Sequence, residues 1–298
     1  MKFLLFGGDG QLGQRLRQTL APLGDVVATT VGGTLADGSA CERLDLTDHD
    51  AIAPLIARVA PDVVVNATAH TAVDKAESEP ELAHRINAVA PGAMAAACAA
   101  QGALLVHYST DYVFDGQGTR PYRETDATAP LGVYGHSKRA GEEAVQRSGA
   151  RHMVFRTAWV YDVHGHNFLR TMLRVGAERD ELRVVEDQVG TPTPAWLLAE
   201  TTAAILRRPV QRTGLWHLTA TGRTSWHGFA TAIFDGALAR GLIAKAPRVV
   251  AIPSSEYPTP AARPAFSVLD TSAIQQDFGI GLPDWREALS ETLDRMPR

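Results

Sequence analysis

Cysteine is scarce. The two in 298 residues, Cys41 and Cys98, cannot build a disulfide framework and fit no ligand spacing, so both are expected to be inert small side chains. Their scarcity is compatible with a reducing compartment. No His or carboxylate cluster has metal-ligand spacing either, and no metal site is expected. Long runs of like charge are absent, and the formal net charge is −4. That gives no basic patch for a nucleic acid polymer. An unbroken apolar run of membrane length is missing too. The longest candidate, AVAPGAMAAACAAQGALLV (88–106), is mostly alanine and is broken by Pro91, Gly92, Gln101 and Gly102. It reads as a small-residue helix followed by a buried strand. MKFLLF is too short for the apolar region of a signal peptide and runs straight into glycines. A cytoplasmic protein away from membranes is the expectation. Internal repeats and low-complexity segments are also lacking. What remains is 45% hydrophobic and 21% charged, as in soluble globular proteins. Its length suits one large or two modest domains.

Strand and helix patterns alternate through the first half. Apolar runs at 2–6, 25–30, 43–48, 62–69, 103–110 and 152–160 read as strands. Helical spacing occupies 10–22, 48–60, 79–100 and 134–147, the second of these started by Thr47 or Asp48. This alternation predicts an α/β fold, a doubly wound parallel sheet of the Rossmann type. After residue 160 the pattern loosens. Helices are expected at 166–179, 194–208, 225–240 and 284–295, with strand-like pieces at 182–187 and 214–219 and a proline-rich stretch at 252–266. The expected division is a dinucleotide-binding domain over 1–160 and a smaller C-terminal α/β substrate lobe over 161–298. Some segments of 180–235 should return to the first domain.

GGDGQLG places Gly7, Gly10 and Gly13 at G-x-x-G-x-x-G spacing, between the first strand and the first helix. Glycine permits the tight turn and the close approach of backbone to a pyrophosphate, and the helix N-terminus offers free N–H groups. Dinucleotide binding follows. An acid at the end of the second strand would hold the ribose 2′-OH of NADH, but VVATTVGG puts Thr30 there. Arg15 could reach a 2′-phosphate or could equally be a solvated surface charge. Asp45, after the third strand, is placed near the adenine side. The balance favours NADPH, with NADH also usable.

The fifth strand ends HYSTDYVFDG (107–116), and ligands of doubly wound sheets sit beyond the carboxyl ends of strands. Ser109, Thr110 and Asp111 therefore project toward the site. YGHSK (134–138) follows, with Tyr134 and Lys138 on one helix face. Reduction of a ketone by hydride leaves an alkoxide that needs a proton. A tyrosine hydroxyl can give it, and a lysine ammonium one turn away favours the phenolate. Lys138 can also hold the nicotinamide ribose. Thr110 can bind the same carbonyl oxygen.

The glycine triplet, STDYVFDG and YGHSK together resemble the extended short-chain dehydrogenase/reductase superfamily. NATAHTAVDKAESEPELA (66–83), PLGVYGHSKRAGE (130–142), FRTAWVY (155–161), DQVGTPT (187–193) and YPTPAARP (257–264) narrow this. They resemble the dTDP-4-dehydrorhamnose reductases over nearly the whole chain. The resemblance implies reduction of dTDP-4-dehydro-6-deoxy-L-mannose to dTDP-L-rhamnose with NADPH or NADH. This is the last step in making the rhamnose donor for cell-surface polysaccharide. It implies Tyr134 as proton donor, Lys138 as its partner and Thr110 as the matching hydroxyl. It implies a cofactor lining of Gly7, Gly10, Gln11, Leu12, Gly13, Thr30, Asp45, Leu46, Ala67, Ala69, His70 and Thr71. Asp111, Trp159 and Arg263 would meet the sugar nucleotide. For Trp159 the alternative is core packing at a strand end, and for Arg263 a structural ion pair.

Two departures stand out. Thr30 replaces the acid that the family often carries. Some members dimerise through Mg2+ held by acidic side chains; the corresponding places here read Arg15 and Trp196, which argues against a metal-bridged dimer and leaves a monomer or homodimer. Two rival readings resemble the same superfamily. A nucleotide-sugar epimerase or dehydratase would place Asp-Glu after the threonine, whereas Tyr112 follows Asp111 here. A non-catalytic subunit resembling the methionine adenosyltransferase beta subunit would not need Tyr134, Lys138 and Thr110.

Overall fold

The run KFLLF shows why the central sheet forms. Phe3 and Leu5 enter one apolar cluster and Leu4 and Phe6 a second one on the opposite face, all of them fully buried. A strand covered on both faces must be apolar throughout rather than alternating. The same division recurs at Val63 and Val65 against Val64, and at Met153 and Phe155 against Val154. The computed structural model describes residues 1–297 except Pro209 and Gln211.

Seven parallel strands make the sheet: β1 (Lys2–Phe6), β2 (Asp25–Thr30), β3 (Glu42–Arg43), β4 (Val63–Asn66), β5 (Leu104–Thr110), β6 (Arg151–Thr157) and β7 (Gly214–His217). Their order is β7-β6-β5-β4-β1-β2-β3. The order reverses between β1 and β4. The crevice beyond their carboxyl ends is therefore the expected ligand site of an open α/β sheet.

Three expected elements are altered. The third strand, expected over 43–48, shrinks to Glu42–Arg43, because Asp45 turns the chain by accepting from the Thr47 amide at 2.8 Å. The expected helix over 79–100 is interrupted. An α-turn over Pro80–His84 widens into a π-turn at Arg85–Val89 before the helix resumes over Ala90–Gln101. Pro91 has no N–H to continue the α register, which accounts for the widening. The sixth strand stops at Thr157, since Trp159 adopts a left-handed φ of 47°.

The second half folds partly onto this sheet. Strand β7 pairs with β6, and the helix Ala195–Leu206 packs on the first helix, Gln11–Leu20. One core thus runs from Phe3 through Trp196 and Trp216 to Phe229 and Trp285. A smaller cluster holds Leu182, Val184, Ala230 and Phe234, beneath the parallel pair Glu181–Val185 and Arg248–Ile252.

Candidate active site

The glycine turn is built for close approach. A Cβ on Gly13 would stand 1.8 Å from the Gly7 carbonyl oxygen, so no larger residue fits. Gly7 itself has φ of 83°. Both Gly7 and Gly8 donate to the Thr29 carbonyl, at 3.2 and 2.9 Å, tying the turn to the end of β2. The first helix starts with extended Gly10, no side-chain cap and no acid in its first turn. Its first amides lack intrahelical partners and carry the positive end of the helix dipole. These features fit the pyrophosphate of a dinucleotide.

Ala67, Ala69, His70 and Thr71 follow β4 on the other side of the crevice. Asn87, in the π-turn, fixes this segment. Its side chain accepts from the His70 amide at 2.8 Å and donates to the His70 carbonyl at 3.1 Å. The same Asn87 amide donates to Ser137 Oγ at 3.0 Å, linking the wall to the helix that carries Tyr134. His70 Nδ1 is buried without a partner.

That helix, Val133–Arg147, has an external cap. The Val133 amide donates to Glu77 Oε1 at 2.8 Å, and a Cβ at position 132 would lie 2.6 Å from the same oxygen. A side chain at 132 would therefore have to displace the Glu77 carboxylate from its cap, and that carboxylate suits the helix N-terminus. Tyr134 thereby meets the end of β5, its ring edge-on to Tyr112 with centroids 5.6 Å apart. Thr110 Oγ1 accepts from the Tyr112 amide at 3.2 Å and donates to Asp111 Oδ1 at 3.0 Å. The other Asp111 oxygen is buried with no partner. Lys138 is buried and donates to the Tyr108 carbonyl at 2.6 Å.

The electrostatics differ from the expectation that Lys138 lowers the phenol. Burial pushes the Tyr134 hydroxyl up to about 12, the nearby Thr110 hydroxyl opposing the shift and the Asp111 charge adding to it. Burial brings the Lys138 ammonium down to about 8, with Glu142 opposing. Burial also raises the Asp111 carboxyl to about 6, with the nearby Ser267 and Thr110 hydroxyls opposing. The phenol is therefore protonated at neutral pH, the state a proton donor needs.

Not every expected site residue faces the crevice. Thr30 turns its hydroxyl into its own loop, accepting from the Gly33 and Thr34 amides at 2.8 and 3.2 Å. Arg15 is held bidentately by Asp162 at 2.7 and 2.6 Å, so it neither floats in solvent nor reaches a 2′-phosphate. Leu46 is buried in the core beneath Asp45, which itself is exposed. Trp159 is stacked on Trp226 with centroids 3.5 Å apart, and its ring also covers Gly190, so its faces are largely taken. Arg263 is paired with Asp74 at 2.8 Å, the ion-pair alternative, although the pair lies close enough to Tyr112 for both charges to act on that phenol. Gln11 is bound by Asn167 Nδ2 at 2.8 Å, which brings the second half of the chain against the glycine turn.

Sequence reasoning missed five residues: Asp74, Glu77, Asn87 and the buried pair Glu142–Arg156. Glu142 alone carried a signal, since it lies one further turn along the face of Tyr134 and Lys138. Among the described residues, no group of three or more His, Cys, Asp or Glu could hold a metal ion, and no helix is long and apolar enough to cross a membrane.

The family described as "RmlD substrate binding domain" matches residues 1–298. A dTDP-4-dehydrorhamnose reductase of Escherichia coli K12 is 46% identical over 99% of this chain and 98% of its own length. A crystal structure of a dTDP-4-dehydrorhamnose reductase from Clostridium acetobutylicum superposes with a TM-score of 0.89 at 38% identity, covering 99% of both chains. A Bacillus anthracis dTDP-4-dehydrorhamnose reductase solved in complex with NADP gives 0.89 at 31% identity, again over 99% of both chains.

Proposed function

The chain belongs to the dTDP-4-dehydrorhamnose reductase family, and we propose that its crevice reduces the 4-keto group of dTDP-4-dehydro-6-deoxy-L-mannose to dTDP-L-rhamnose with NADPH or NADH. The observation that carries this reading is that Thr110, Tyr134 and Lys138 gather at the carboxyl end of β5, on the same edge of the sheet as the glycine turn that follows β1. When bound, the nicotinamide supplies the hydride that forms the new C–H bond at C4.

The protein's part is to orient the ketone and to deliver a proton. As the carbonyl π pair moves onto O4, that oxygen becomes far more basic than a phenolate. Tyr134, protonated at neutral pH, gives its proton to O4. Thr110, its oxygen held by the Tyr112 amide, steadies the same oxygen by turning its hydroxyl proton from Asp111 Oδ1 to O4. Lys138 lies one helical turn away as a buried cation held on the Tyr108 carbonyl, from where its ammonium can bind the nicotinamide ribose. Asp111 offers its unpartnered oxygen to a sugar hydroxyl. Arg263 meets the diphosphate by exchanging Asp74 for it, a trade between two anions that a guanidinium accepts equally well.

The direct test mixes the pure protein with NADPH or NADH and dTDP-4-dehydro-L-rhamnose and follows the loss of reduced-nicotinamide absorbance. Stoichiometric consumption supports a reductase. Conversion of the sugar without net consumption would instead assign an epimerase or dehydratase.

A pH profile follows from the same groups. Below about 6 Asp111 takes up a proton and ceases to accept from substrate, and above about 8 Lys138 loses its charge. The profile of kcat/KM, which reports the free enzyme, should be a bell with limbs near those values. A profile flat through both would remove Asp111 and Lys138 from the reaction.

A further inference from the structure

We propose that Arg17 and Asp37 together read the adenine ribose and set the choice between NADPH and NADH; the inference rests on the dinucleotide binding proposed above. The positions first suggested for this task are committed elsewhere, Thr30 to its own turn and Arg15 to Asp162. Arg17 takes their place.

Arg17 lies on the side of the first helix that faces β2. Its Cδ is 3.5 Å from where a Cβ on Gly8 would stand, so its stem runs against the glycine turn. Gly8 in turn is hydrogen-bonded to Thr29 at the end of β2. From there the guanidinium donates to Asp37 Oδ2 at 2.8 Å. Asp37 belongs to the loop that follows β2 and is held by the Ser39 amide at 2.9 Å. Both side chains line an open groove of about 950 Å³ along β2, with Gln14, Leu35 and Cys41. They are accessible, at 25% and 54% exposure, so either can exchange its partner for a ligand.

The chemistry of the pair matches both dinucleotides. A 2′-phosphate presents oxygens that a guanidinium binds bidentately. A free 2′-OH presents a donor that a carboxylate after β2 accepts. Arg17 therefore serves NADPH and Asp37 serves NADH, each released from the other when its ligand arrives. Asp37 also repels the phosphate, so the two side chains pull the preference in opposite directions.

Equilibrium titration of NADP+ and NAD+ into the intact protein, read by tryptophan fluorescence, tests this without turnover. Arg17→Ala should weaken NADP+ by about 10–100-fold and leave NAD+ within about threefold, as expected for loss of charge-assisted bonds to a phosphate. Asp37→Asn should weaken NAD+ while NADP+ binds as tightly or more tightly. Equal shifts for both nucleotides, or an unmoved ratio in either variant, overturn the proposal alone. A wild-type protein that binds neither nucleotide overturns the reductase reading, and this one with it.

Discussion

Replacing Tyr134 with phenylalanine lowers kcat by about 10²–10⁴-fold, the usual worth of a positioned general acid, and leaves dinucleotide affinity nearly unchanged. The argument is geometric first. The substitution keeps the ring that packs edge-on against Tyr112, so the helix Val133–Arg147 retains its seat on the end of β5. Only the hydroxyl is lost. Neither neighbour can replace it. The Thr110 hydroxyl is an alkanol, far too weak an acid to give up its proton, and the Lys138 ammonium is turned to the Tyr108 carbonyl. Water must then protonate O4 in a site whose walls are buried. Because the phenol is raised to about 12 by burial, the wild-type donor is fully loaded at neutral pH, and lowering the pH should not rescue the variant. Steady-state kcat, NADP+ titration and thermal unfolding on the same preparation separate chemistry from binding and folding. A kcat within a few-fold of wild type would take Tyr134 out of the proton transfer.

Local patterns made the frame of this site legible. The wholly apolar KFLLF announces a strand covered on both faces, and the glycine spacing that follows announces a turn with no room for side chains. Tyr134 and Lys138 are readable because helical periodicity alone puts them on one face. What stayed hidden depends on partners far along the chain or on burial. Arg263 finds Asp74 only once the proline-rich segment crosses the crevice. Trp159 loses its free faces to Trp226 and Gly190 through a left-handed backbone turn that no propensity marks. Thr30 resembles a ribose contact in a linear reading, but the loop after it curls back and uses its hydroxyl. The sign of the Tyr134 shift was hidden for a different reason. Desolvation and the Asp111 charge raise the phenol while the Thr110 hydroxyl opposes them, and only the packed structure decides which is larger.

Glu142→Gln should cost about 3–5 kcal/mol of stability, the range for breaking a buried ion pair from one side. Glu142 is fully buried and accepts Arg156 Nε at 2.8 Å and Nη2 at 2.7 Å, with Arg139 Nη1 at 3.1 Å. Burial alone would raise its carboxyl, yet the Arg156 hydrogen bonds and charge hold it below the usual value. The carboxylate is therefore ionised in the folded protein and balances a guanidinium that is itself buried beside Phe114 and His217. An amide cannot balance that charge, and the buried Arg156 would lose its one hydrogen-bonded carboxylate among the described residues, with only the Glu124 charge left to offset it. Against a typical total of about 5–15 kcal/mol, the loss is a large share. The double variant Glu142→Leu/Arg156→Met removes both charges at similar volume and should recover most of it. Recovery would distinguish an orphaned cation from simple loss of packing. The pair also touches the chemistry, because Glu142 supports the Lys138 charge. Without it the Lys138 proton is held less tightly, and the alkaline limb of kcat/KM should move below its wild-type position. Thermal unfolding and the pH profile of Glu142→Gln check both effects. Stability within about 1 kcal/mol of wild type, with the limb unmoved, would reduce the pair to an incidental contact.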